Sequence, residues 1–120
     1  MKPIFGLLIV VACLTGCYYD HANLVYPKAN CVITNVTYSS TITSILRANC
    51  YGCHSGNASA GGGIALDNYT SLKVYVSNGQ LMNSINHTGG IAGMPLNASQ
   101  LLPCDISTIQ AWVSNGAPNN

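Results

Sequence analysis

Residues 50 to 54 read Cys-Tyr-Gly-Cys-His, and this stretch limits the fold more than any other. Two thiols three positions apart and an imidazole directly behind the second are held within one turn of chain. Anything that engages all three must lie against a tight corner of backbone, and the rest of the domain must be built around that corner. The residues before it, "SSTITSILRANC", carry Ile42, Ile45 and Leu46 at helical spacing, with Ser39 or Ser40 placed to cap the first free amides. A helix therefore leads straight into Cys50.

The 120 residues suffice for one domain and are too few for two well-packed ones. The opening "MKPIFGLLIVVACLTGC" has a basic start at Lys2, an apolar run from Ile4 to Leu14 and small residues after it, which is the layout of an export signal, the run being short for a membrane span. Leu14, Thr15, Gly16 and Cys17 resemble the lipobox of bacterial lipoproteins, which implies cleavage before Cys17 and acylation of that cysteine. The expected organisation is a signal peptide over 1–16, an extended tether over 17–37 and a folded domain over 38–120. The expected location is the bacterial cell envelope, lipid-anchored and facing the periplasm or the cell exterior.

Beyond that signal the charged residues are Lys28, Arg47 and Lys73 against Asp20, Asp67 and Asp105. With no basic patch to collect phosphates, nucleic acid is not an expected partner. Glutamate is absent and the aspartates are far apart in sequence, so paired-carboxylate catalysis has little to work with. The protein is expected not to be an enzyme, although peroxidase-like activity stays open. Of the six cysteines, Cys13 falls in the signal, Cys17 takes lipid, and Cys50 and Cys53 belong to the corner; Cys31 and Cys104 are the two without a task. In an exported protein they are expected to form a disulfide, the alternative being two buried free thiols.

The remaining pattern is helical. "DNYTSLKVYVSNG" reads as a helix capped at Asp67 or Asn68 and ended by Asn78 and Gly79, and "QLMNSIN" adds a further turn or two. "PCDISTIQAWVSNGA" is a last helix with Pro103 in its first turn, Ile106, Ile109 and Val113 along one side, and Gly116 as its stop. Gly61, Gly62 and Gly63 serve either flexibility or close approach to a flat ligand. The fold class expected is all-α, with glycine-rich loops and no strand pair.

The spacing C-x-x-C-H is the attachment signature of c-type haem, in which both thiols bond the macrocycle and the histidine takes its iron. A redox dithiol lacks its βαβ setting here. A zinc-stabilised binding module, with Cys50, Cys53, His54 and His87 as ligands, is a further alternative. For a second axial ligand the candidates are Met94, in a glycine-rich loop closed by Pro95, then Met82, His87 and His21; Met82 reads as core filler and His87 as an exposed residue.

The combination of "CYGCH", a later "GMP" and a final "DISTIQAWVSNGA" is similar to the mono-haem class I cytochromes c, and more closely to the lipoprotein forms of Bacteroidota and Planctomycetes. The likeness covers about Tyr38 to Asn120. It implies one covalent haem c attached at Cys50 and Cys53, with His54 as proximal and Met94 as distal ligand, short helices wrapped around the haem, and first and last helices in contact. The function implied is a one-electron carrier tethered to the membrane by lipid, with exported or membrane redox proteins as donor and acceptor. A haem sensor or peroxidase-like enzyme with a labile distal ligand is the alternative.

Overall fold

The computed structural model describes Cys31 and residues 33–120, which lie in one compact unit spanning Cys31 to Asn120. The signal, Cys17 and most of the tether, His21 included, fall outside the described residues. The element order is a π-helical turn over Tyr38–Ile42 running into α1 (Thr43–Asn49), a 3-10 turn over Ser59–Gly61, then α2 (Tyr69–Ser77), α3 (Gln80–Ile85) and α4 (Pro103–Ser114). The unit is thus a small all-α domain of short helices, and among the described residues there is no strand and no helix long and apolar enough to cross a membrane.

The first helix starts differently from the serine-capped expectation. Thr37 occupies the cap position in extended backbone, and apart from Thr41 Oγ1, which accepts from Thr37 N–H at 3.3 Å, no side chain of the helix start takes the free amides. The far end of the chain does so instead. Asn120 accepts from Tyr38 N–H through its side-chain Oδ1 and from Ser39 N–H through its carbonyl, both at 2.9 Å. Unpaired helix-start donors need partners, and a terminus folded back across the domain serves as well as a local hydroxyl. The opening is wide because Ile42 N–H reaches back five residues to the Thr37 carbonyl at 3.0 Å.

The other ends follow local chemistry. Asn68 caps α2, its side chain accepting from Ser71 N–H at 2.9 Å. Pro103 occupies the first turn of α4, where a missing N–H costs nothing. Beyond α4 the chain closes onto its own core: Trp112 Nε1 donates to the Pro118 carbonyl at 3.0 Å, Tyr69 Oη donates to the Ala117 carbonyl at 2.8 Å, and Lys73 Nζ donates to the Gly116 and Ala117 carbonyls.

The largest fully buried side chains are Trp112, Ile42, Leu46, Leu72 and Ile109, so the core joins the first helix, α2 and α4. Tyr38 lies between two other rings, stacked on Trp112 at 6.0 Å and edge-on to Tyr69 at 5.2 Å, which seats the first helix against the last. Met82 packs at the margin of this core, as its helical spacing suggests. Cys31 and Cys104 are bonded, their Cα atoms 5.4 Å apart, and tie the start of the unit to the first turn of α4. A persistent disulfide belongs to an oxidising compartment, which places the domain outside the cytoplasm.

Candidate functional site

The corner after α1 is built by its own backbone. Cys50 N–H and Tyr51 N–H both donate to the Leu46 carbonyl, at 2.7 and 3.0 Å, so the helix ends on a shared acceptor. The Cys50 carbonyl then accepts from Cys53 N–H at 3.1 Å and His54 N–H at 2.9 Å, curling the next four residues into a tight turn. Cys50 faces inward, half-buried, and Cys53 is exposed; both are free thiols. Burial pushes the Cys50 thiol up to about 11, so it is held protonated at neutral pH.

His54 is oriented from behind. Its Nδ1 lies 2.8 Å from the Ile64 carbonyl, which can only accept, so Nδ1 carries the proton and Nε2 is left as the free ring nitrogen. Leu66 N–H donates to the His54 carbonyl at 2.8 Å, fastening the loop from the other side. The glycine run has a definite purpose at one residue. A Cβ on Gly61 would meet His54 Nδ1 at 2.5 Å and the Cys53 carbonyl at 2.7 Å, so the chain passes the imidazole at a distance only glycine permits.

Opposite this corner lies the loop that carries Met94. Met94 N–H donates to the Ser84 carbonyl at 2.9 Å, and the Met94 carbonyl receives a hydrogen bond from His87 Nε2 at 3.1 Å. Between corner and loop is a cavity of about 510 Å³. Cys50, Cys53, His54 and Met94 all line it, so four residues distant in sequence share one wall system. Its floor is apolar, from Leu66, Leu81, Ile85 and Leu101, and Ile91 and Leu96 stand at its exposed rim. No charged side chain is among the lining residues. Tyr75, Gln80 and Ser84 were not singled out from sequence as site residues. They reach the cavity because α2 and α3 pack against each other, a contact with no local signal.

His87 and Met82 do not line the cavity; His87 is exposed on the outer side of the loop. Among the described residues, no three His, Cys, Asp or Glu side chains come together as a set that would hold a metal ion. Four converging ligands are what structural zinc demands, so the zinc module finds no site. No family model, no curated protein and no solved structure matches the chain.

These findings correct the central expectation from sequence. Membership of the mono-haem class I cytochromes c has no support from any comparison, and the cysteine pair joined in the structure is the structural Cys31–Cys104 bridge. With no metal-holding group among the described residues, haem c, the iron site and the one-electron carrier built on them are not retained, and the haem sensor falls with them. The physical reason is that a short motif specifies only a local turn.

Proposed function

We propose that this domain is an extracytoplasmic binding module whose helices wrap around one mainly apolar organic ligand, with Cys50, Cys53, His54 and Met94 at the contact surface. The observation that carries the reading is the convergence of those four side chains on a single cavity of about 510 Å³ with an apolar floor. That volume lies within the range of small-molecule sites, roughly 300 to 1,000 Å³, and a hydrophobic lining with a few placed polar groups is their usual make-up. The polar groups here include a free imidazole Nε2 and two thiols, one sheltered and one exposed, with Tyr75, Gln80 and Ser84 on the walls, enough to orient a ligand. We read the module as a binder of that ligand. Lipid on Cys17 and the stretch over 17–37 would tether it to an envelope membrane, where its partners are exported or membrane proteins that deliver or receive the ligand, and not nucleic acid.

The test uses the mature protein recovered from the envelope of an export-competent host. Intact-mass measurement under native and denaturing conditions should show a bound organic species, and peptide mapping should show whether Cys50 or Cys53 carries it. In parallel, 1-anilinonaphthalene-8-sulfonate should bind the unliganded protein and lose affinity at least tenfold in Ser84→Trp, which fills the cavity from its wall. A bare mass together with equal dye binding by both proteins overturns the proposal.

A further inference from the structure

The loop from 86 to 101 closes one side of the cavity and contributes Ile91, Met94, Pro95, Leu96 and Leu101 to its lining. Its entry is bonded to the end of α3, with Thr88 N–H donating to the Asn83 carbonyl at 2.9 Å and His87 N–H to the Ser84 carbonyl at 3.2 Å, but beyond Thr88 its bonds are few. Gln100 Nε2 to the Ile85 carbonyl is long, at 3.5 Å, and the Ala98 amide bonds within the loop, to the Pro95 carbonyl at 3.2 Å. The Met94 peptide units are where the loop is pinned. Met94 N–H points inward to the Ser84 carbonyl at 2.9 Å, and its carbonyl points outward to His87. A carbonyl only accepts, so His87 Nε2 is the donor, at 3.1 Å.

His87 is fitted to this task in two further ways. Its backbone is at φ 55°, a conformation few side-chain-bearing residues take, and this turns the imidazole back over its own loop. There the ring lies flush against Gly93: a Cβ on Gly93 would meet the ring at 2.8 Å. His87, exposed as its sequence setting suggests, therefore bridges the loop's entry to Met94, which lines the cavity and bonds the Ser84 carbonyl of α3.

We propose that His87 is a latch: seated on Gly93 and bonded to the Met94 carbonyl, it holds the 86–101 loop closed as a lid over the cavity and sets how readily that lid opens. The inference rests on the ligand-cavity reading for its purpose but not for its physics. Two variants of the full chain release the latch by different routes. His87→Asn keeps a residue tolerated at positive φ and shortens the reach, and Gly93→Ala leaves the imidazole in place and displaces it from its seat. Amide hydrogen exchange read by mass spectrometry should accelerate about two- to tenfold over residues 91–96 in both, the effect of losing one neutral hydrogen bond from a local opening, with α4 unchanged. Dissociation of 1-anilinonaphthalene-8-sulfonate in stopped flow should quicken in step. Wild-type exchange rates in both variants, or an acceleration that reaches α4 equally, overturn the latch whatever the dye does. Faster loop exchange in a protein whose wild type binds no dye keeps the latch and removes the ligand cavity instead.

Discussion

Removing the Cys31–Cys104 bridge should cost this domain a large share of its stability, and the size follows from where the bridge sits. The two cysteines are 73 residues apart, so the closed loop takes in the first helix, the thiol corner, α2, α3 and the Met94 loop. In the chain-entropy account the unfolded state loses freedom that grows with the logarithm of loop length, which gives about 4 kcal/mol for a loop of this size. A domain of this length has roughly 5 to 13 kcal/mol to lose, so the variant should fold with a narrow margin. The double substitution Cys31→Ser with Cys104→Ser avoids a stray thiol, and urea unfolding followed by Trp112 fluorescence gives both midpoint and slope. The expected result is a loss of about 4 kcal/mol with a modest rise in slope, since the unbridged unfolded chain exposes more surface. A loss under 1 kcal/mol at unchanged slope would refute the reasoning, because the unfolded chain would then be no freer without its crosslink.

Other outcomes follow from single contacts. Deleting Asn120 frees the Tyr38 and Ser39 amides and should lower stability by about 1 to 2 kcal/mol in thermal or urea melts, two modest hydrogen bonds re-exposed to water. Gly61→Ala forces a methyl into the His54 ring and the Cys53 carbonyl, and should cost about 2 kcal/mol and shift the His54 imidazole resonances. Ile109→Ala, cut from a fully buried position between α4 and the first helix, should cost about 2 to 5 kcal/mol by urea unfolding. Alkaline pH should also destabilise the domain. Cys50 is raised from 9.0 to about 11, so the folded state favours the neutral thiol; its contribution is whole below about pH 9 and is lost as pH climbs toward 11. Tyr38 and Tyr51, raised chiefly by burial as well, add to the same loss, so the check is the difference in slope of urea midpoint against pH between wild type and Cys50→Ser.

The helices were legible because their determinants are local. Ile42, Ile45 and Leu46 announce the first, Asn68 and Gly79 bracket the second, and Pro103 opens the last, each acting within a turn of its own position. The bridge was legible for another reason: an expected export signal implied an oxidising environment, and with the other four cysteines assigned elsewhere, Cys31 and Cys104 remained. Met94 could be singled out because a methionine between glycine and proline in a loop is not placed there by a helical core. What the thiol corner and Met94 hold was not legible, since C-x-x-C-H describes a turn and the expectation drawn from its likeness to a family found no support in any comparison.

Local chemistry in the chain settles where the later helices begin and end and which residues form the corner, because each depends on neighbours a few bonds away, while the expected compartment alone argued that Cys31 and Cys104 pair. Only the folded arrangement could decide that Asn120 caps the first helix, that Tyr75 and Ser84 join Cys50 around one cavity, and that His87 reaches back to Met94. Those relations depend on how helices dock and how loops return across the domain. Such contacts bring together residues tens of positions apart, and no spacing within a single stretch records them.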